Sequence, residues 1–317
     1  MMRIRFGHFN VRDLTVGKLF KPDHPQVVSA SAIIRKVKPD ILSINEIEAR
    51  PEAPRLFLDN FIQRGDDPLH YPYFYIGPTN SGVSTGLPHP FDQKGFGLFE
   101  GQYGIALFSR FPILREGVRS FEGFPWRLLP TSLSCLGDKA MEIYESFPLF
   151  STNLLSVPLR IDERVVHAIL LHASVPFKGP LNKERNGDQL IFLNEYISGR
   201  ALPGVEPFKV EKPFVVMGDF NADPEKGEGI RSVIKGLLEN PALNGLVPSR
   251  PTFLEGGGVL TPPLDPGGFS LKLDYILPSR DFVVLKHGIF WSEETDWWNQ
   301  VRRASDHFIV YVDCSLV

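Results

Sequence analysis

Residues 214–224 read FVVMGDFNADP. Four apolar residues in succession read as a strand buried on both faces, because a half-exposed strand would alternate. The chain then turns on Gly218 and brings Asp219 and Asn221 to the strand's exit, with Asp223 two residues on. Gly, Asp and Asn are ordinary turn residues, each for its own backbone reason. A buried strand that ends on an acid and an amide also fits a site at the carboxyl edge of a sheet, where α/β proteins bind ligands. The two readings separate only when other parts of the chain supply residues that would share that edge.

The chain has 317 residues, 43% of them hydrophobic, enough for a substantial core. Its 34 Lys+Arg face 37 Asp+Glu for a net charge of −3. That is no basic excess of the kind that holds long nucleic acid electrostatically. The balance argues against a duplex-coating or processive binder, and not against an enzyme that meets phosphates one at a time. Cys135 and Cys314 form no metal spacing and need no oxidising compartment. Cys314 ends an apolar strand and is expected in the core. No apolar run is long enough to span a bilayer, and MMRIRFGHFN at the start lacks the apolar region of a signal peptide. The expectation is a soluble chain, cytoplasmic if complete, and secreted or periplasmic if a signal peptide was trimmed. No obligate protein partner is evident.

Around the opening stretch, strands are expected at 3–10, 40–45, 103–109, 154–159, 164–171, 273–277, 282–285 and 308–312. The strands at 154–159 and 164–171 are joined by RIDE and predict an antiparallel hairpin. A helix is expected at 23–38, with Asp23 as its cap, Pro25 in its first turn and Pro39 ending it. Two more are expected at 188–197 and 228–239. Strands outnumber helices, and both hairpins and crossovers occur, so a mixed-sheet layered α/β fold suits the pattern better than an all-parallel one. Residues 71–102 are rich in Gly and Pro, and 121–150 are irregular around Trp126. Loops this long in a compact domain are usually functional, so both are read as insertions at the rim of a site. No repeat or linker divides the chain, and 1–317 reads as one domain.

Polar residues recur directly after the apolar strands. Asn10 follows the first, Glu46 the second, and His172 ends VVHAILLH. Asp219 and Asn221 end FVVMGDFN, Asp274 lies in KLDYIL, and Asp306 with His307 precedes the last strand. Each alone has a plain structural reading as a cap, a solvated acid or a satisfied histidine. Together the stretches FNVRDL (9–14), PDILSINEIE (39–48), GQYGIALFSRFPI (101–113), AILLHAS (168–174), VVMGDFNADP (215–224), KLDYIL (272–277) and SDHFIVYV (305–312) resemble, in order and spacing, the endonuclease/exonuclease/phosphatase superfamily. These are metal-dependent phosphoesterases that include pancreatic-type deoxyribonucleases, abasic-site endonucleases, neutral sphingomyelinases and inositol-polyphosphate phosphatases. The resemblance spans nearly the whole chain. It implies a four-layer α/β sandwich, two mixed β-sheets face to face flanked by helices, with the site at one edge.

Phosphoester hydrolysis needs charge neutralised on phosphate oxygens, an oriented water and help for the leaving oxygen. A hard divalent ion, Mg²⁺, Mn²⁺ or Ca²⁺, takes carboxylate oxygens rather than thiolates. By the resemblance, Glu46 and Asp306 are the metal carboxylates, with Glu48 as the fallback ligand. Asn10 ligates through its amide oxygen or holds a phosphate. Asp219 orients or deprotonates the attacking water, and Asn221 positions Asp219 or a phosphate oxygen. His172 donates a hydrogen bond to the developing charge, and Asp274 orients His307.

The chain departs from the family pattern at three places. Asn45 stands where members usually carry Gln, and Lys272 where they commonly carry Arg. The inositol-phosphatase signature around Lys272 is absent, so that substrate is not carried over. LLHAS around His172 leans away from abasic endonucleases. In KGPLNKERNGDQ (178–189), Arg185 or Lys183 is a candidate to touch a substrate phosphate, against a solvated loop leading into a helix. EGGG (255–258) reads as a turn, and DWWNQ (296–300) with Trp291 as a substrate wall or as packing. The expected function is metal-dependent hydrolysis of a phosphodiester or phosphomonoester by direct attack of water on phosphorus. A small-molecule or lipid substrate is slightly favoured over nucleic acid. The alternatives are a nuclease acting on DNA or RNA, and a catalytically silent binding module of the same fold.

Overall fold

The structure is a computed structural model. It describes residues 2–89, 91–129, 147–179, 181–209, 213–248, 250–254, 270–292 and 294–317. Two mixed sheets dominate it. The first has the order β12-β13-β1-β2-β4-β3, built from Phe282–Ile289, Val310–Leu316, Arg3–Leu14, Ile41–Ile47, Gly104–Ser109 and Tyr73–Ile76. The second has the order β11-β8-β7-β6-β5, built from Asp274–Pro278, Phe214–Asp219, Arg164–His172, Leu154–Ile161 and Arg119–Ser120. Among the described strands, β1 with β2 and β7 with β8 run parallel and the other pairs are antiparallel. A small ribbon, β9 (Phe253–Leu254) with β10 (Ser270–Leu271), stands beside them.

Three apolar layers hold four structural ones. Ile4, Phe6, Leu107, Val157, Met217 and Val312 pack between the sheets. Helices α1 (Pro25–Val37) and α4 (Thr295–Ala304) cover the outer face of the first sheet through Val27, Ile34 and Trp298. Helices α2 (Asn182–Ile197) and α3 (Arg231–Leu238) cover the second through Leu190, Phe192 and Ile234. This is the expected four-layer sandwich.

Several local expectations change. The first helix starts at Pro25 with His24 before it and no side-chain cap, so Asp23 does not cap it. Helix α2 begins at Asn182 rather than 188, and so absorbs Lys183 and Arg185. DWWNQ lies in α4, where Trp298 is buried and Trp291 stacks on Phe308 with ring centroids 4.8 Å apart. These tryptophans are outer-layer packing. EGGG lies outside the described residues.

Gly218 is not the turn that its neighbours suggest. It continues β8, and a Cβ there would stand 2.0 Å from the Leu171 carbonyl oxygen of β7. The residue is glycine so that two parallel strands can carry His172 and Asp219 side by side, as partners in register. The turn comes later, at Asn221, with φ of 48°.

Candidate active site

The carboxyl ends of β1, β2, β7 and β8 meet at one edge, and both sheets contribute. A bulge in β2 between Asn45 and Ile47 leaves Glu46 out of the ladder at φ of 65°. A bulge re-aims a side chain that strict alternation would send elsewhere. Glu46 therefore turns into the edge, while Glu48 turns away. The Glu48 carboxylate accepts from Val16 N at 2.7 Å and pairs with Arg50 at 2.7 Å. It is committed to its own loop.

Asp219 is the centre. Asn10 Nδ2 donates to Asp219 Oδ2 at 3.1 Å and to Glu46 Oε1 at 3.0 Å. His172 Nε2 and His307 Nε2 each stand 3.8 Å from the same Asp219 oxygen. His172 Nε2 is also 3.9 Å from Glu46 Oε1. His307 Nδ1 donates to Asp274 Oδ2 at 2.8 Å. The other Asp219 oxygen accepts from the Asn221 backbone N at 2.8 Å, which locks the carboxylate. Asn221 Nδ2 donates to the Ala173 carbonyl at 3.0 Å and ties the turn to the exit of β7. Asp223 is structural: it accepts from Glu225 N, Lys226 N and Lys272 N.

Two residues take places other than those expected. The amide oxygen of Asn10 accepts from Arg12 N at 3.1 Å, so its nitrogen, not its oxygen, faces the carboxylates. Asn10 is a donor bridge here. Arg185 is buried in α2, donating to the carbonyls of Leu149 at 2.9 Å and Pro148 at 2.8 Å. Its guanidinium lies over the rings of Trp126 and Phe147, turned inward from the surface. The helix that starts early pulls it inward; Lys183 stays exposed.

Burial and charge drive the titrating groups apart. Burial raises the Glu46 and Asp219 carboxyls above the ordinary range, and a neighbouring carboxylate adds to each, Asp306 for Glu46 and Asp274 for Asp219. Burial alone would raise Asp274 too. The charge of His307 and its hydrogen bond, with His8 close behind, hold it well below the carboxylate range instead. Burial would lower His307, but Asp274 and Asp219 outweigh it and push it up to about 10. His172 stands as near to Asp219 but has no carboxylate bonded to its ring, and burial outweighs the Asp219 charge and lowers it.

Asp219, Asp274 and His307 can bring three ligand atoms within 4.8 Å of one another. Asp274 and His307 already bond each other, so the freer oxygen donors are Glu46 and Asp306. Asp306 is partly exposed, with Ser305 Oγ at 3.3 Å and Arg12 Nε at 3.8 Å. Two carboxylates close enough for the charge of Asp306 to help raise the Glu46 carboxyl, with no sulfur donor beside them, fit a hard divalent cation.

Sequence reasoning missed a supporting layer. Asp13 N donates to Glu46 Oε2 at 3.1 Å, and Gln102 Nε2 donates to Asp13 Oδ1 at 2.7 Å. Asn45 Nδ2 crosses to the Leu171 carbonyl of the other sheet at 3.0 Å. His8 lies behind Asp274, with Nε2 3.3 Å from Oδ1. The signal for His8 was present: residues 4, 6, 8 and 10 share one face of β1, and the last two are polar. The stretch 71–102 does reach this edge, through Gln102. The described ends of 121–150 do not form a rim: Phe121, Phe124, Trp126 and Phe150 are core, needed to cover the second sheet. Residues 130–146 lie outside the described ones.

The family model described as "Endonuclease/Exonuclease/phosphatase family" matches residues 8–307. No curated protein matches the sequence. Among solved structures, an endonuclease/exonuclease/phosphatase from Beutenbergia cavernae is similar at 20% identity and a TM-score of 0.61, covering 100% of this chain and 72% of that one. D. rerio TDP2 complexed with single strand DNA product is similar at 12% identity and 0.58, covering 99% and 100%. The human nocturnin catalytic domain with bound sulfate anion is similar at 15% identity and 0.53, covering 99% and 95%. At these identities the likeness is one of fold.

Proposed function

The chain belongs to the endonuclease/exonuclease/phosphatase family, and from that premise we propose that it is a divalent-metal-dependent phosphoesterase that hydrolyses a phosphodiester by direct attack of water on phosphorus. One observation carries the reading. Two imidazole nitrogens stand 3.8 Å from a single oxygen of a buried carboxylate. That is too long for hydrogen bonds between them and leaves the three groups turned to a shared point. A binding scaffold has no use for a buried acid, a raised imidazole and a lowered imidazole at one edge. A hydrolase needs them in different protonation states.

The roles follow from those states. Asp219, more basic than an ordinary carboxylate, takes or orients the proton of the attacking water. His307, kept protonated by Asp274, offers Nε2–H to charge developing on the phosphate. His172, kept neutral by burial, donates from Nε2 without adding charge. Asn10 holds the Glu46 and Asp219 carboxylates in mutual register. Asn221 fixes the face that Asp219 presents. A divalent ion such as Mg²⁺ or Mn²⁺, held by Glu46 and Asp306, would neutralise charge on the phosphate oxygens when bound.

The near-neutral chain favours a small-molecule or lipid phosphodiester. A second reading, a nuclease for single strands, has its own support. Phe96 is 68% exposed and stacks on Tyr103, with ring centroids 6.3 Å apart. The charges of Glu46 and Asp13 help raise the Tyr103 hydroxyl, after burial, to about 12. So an exposed aromatic plane stands near the proposed metal carboxylates, and such planes stack unpaired bases.

The test is hydrolysis of bis-p-nitrophenyl phosphate with Mg²⁺ or Mn²⁺, with and without chelator. A panel of single-stranded DNA, RNA, sphingomyelin, cyclic nucleotides and phosphomonoesters follows. Metal-dependent, chelator-sensitive turnover is expected. No turnover on any member with either metal would return the chain to a binding role. Selective loss of oligonucleotide cleavage in Phe96→Ala would favour the second reading.

A further inference from the structure

His8 sits where an apolar side chain belongs. On β1 the alternate residues Ile4 and Phe6 fill the core between the sheets, and His8 continues that face with 0% exposure. Burying an imidazole without partners costs free energy that Leu or Phe would not. Its two nitrogens reach in two directions. Nδ1 is 3.2 Å from Ser43 Oγ on β2, within the same sheet. Nε2 is 3.3 Å from Asp274 Oδ1 on β11, across the sandwich. Neither Nε2 nor Asp274 Oδ1 has a hydrogen-bond partner among the described residues, so each has only the other to face.

We propose that His8 is a positioning residue: from the first sheet it holds the far oxygen of Asp274, so that the near oxygen aims His307 at the reacting phosphate. This deepens the phosphoesterase reading and rests on it. An anionic carboxylate accepts only, so His8 carries its proton on Nε2 and accepts at Nδ1 from the Ser43 hydroxyl. The polar line then runs Ser43, His8, Asp274, His307. Asp274 has a second restraint, since Thr252 Oγ1 accepts from its backbone N at 2.9 Å. That bond fixes the main chain and leaves the carboxylate free to rotate. On the side away from His307, His8 limits the rotation.

The experiment compares His8→Leu with His8→Gln. Leu fills the space without a donor, and Gln keeps an N–H at similar reach. In His8→Leu, kcat on the substrate found above should fall about tenfold or more, the usual scale for an outer partner of a site residue, with KM held within about twofold. His8→Gln should restore most of that loss. Melting temperature should not track activity across the pair. The low-field proton resonance of His307 Nδ1–H, read by NMR in metal-free protein, should move in His8→Leu and return towards its native position in His8→Gln. This readout needs no turnover, so if wild-type protein cleaves nothing the activity reading falls while the positioning role is still judged. Unchanged resonance and kcat in His8→Leu would overturn the proposal. So would equal loss in both variants in step with melting temperature, which marks a purely structural histidine.

Discussion

At one edge of the sandwich, Asp219 faces Asn10, His172 and His307, with the carboxylates of Glu46 and Asp274 close by. Under the outer face of the second sheet, Arg185 and its helix neighbours form a second buried polar cluster. There Trp126 Nε1 donates to Asp188 at 2.6 Å, Asn186 donates to the carbonyls of Ser174 and Phe220, and Gln189 donates to that of Leu149. Composition and burial do not tell the two apart. Their partners do. Around Arg185 most side chains end on backbone carbonyls, so the cluster stitches loops to a helix. Around Asp219 side chains end on side chains, like charges crowd, and three polar atoms share a point that none of them fills. Arg185 is lowered to about 9 by burial, a cost the fold carries for shape. At the site, the shifts go in opposite directions on adjacent groups, which is what acid–base chemistry requires.

The sharpest way to break this comparison is Asp219→Asn. Turnover should fall at least about a thousandfold, since water loses its base. Thermal stability without metal should hold or rise, because a buried charge with a raised pKa is removed. Retained turnover on every substrate of the native protein would end the mechanism. His307→Ala should cost about two to four decades in kcat, and Asp274→Asn less, because it removes only the group that orients the imidazole. Glu46→Gln should raise the metal concentration for half-maximal rate about tenfold or more. Glu48→Ala should leave it within about twofold while costing ~1 kcal/mol of stability. Metal titration of the two variants, side by side, tests the bulge. Arg185→Met should do the reverse of Asp219→Asn: about 1–3 kcal/mol lost in denaturant melts, with kcat/KM nearly unchanged. A smaller effect concerns pH. His307 has a raised folded pKa, so its contribution is full below its ordinary value of 6.5 and lost as pH climbs through about 10. Melts in chelator should therefore soften across that window, and His307→Gln should flatten the trend.

The layered fold was legible because apolar runs and turn residues follow strand spacing, and most candidates sat at strand ends where backbone geometry converges them. What stayed hidden was set by contacts far apart in sequence. Nothing near Glu46 announces a bulge; the extra residue is specified by pairing on both sides of β2. Gly218 looked like a turn because the reason for it, the Leu171 carbonyl, lies on another strand. Arg185 looked available because KERNGDQ is polar in composition, whereas its partners at 148–149 are long-range. The helix at Thr295–Ala304 carries no side-chain cap at Glu294 to mark its start in the sequence.

The site lies on a seam. Asn10, Glu46, Asp306 and His307 come with the first sheet and its flank, and His172, Asp219 and Asp274 with the second. Neither sheet holds the whole cluster, so it exists only while the two are docked. By mass action, any ligand that spans the seam works as a clasp, drawing the population towards the closed sandwich by an amount set by its concentration over its dissociation constant. Separation of the sheets would scatter the cluster even with each sheet intact, and occupancy of the site would guard the apolar faces behind it from exposure.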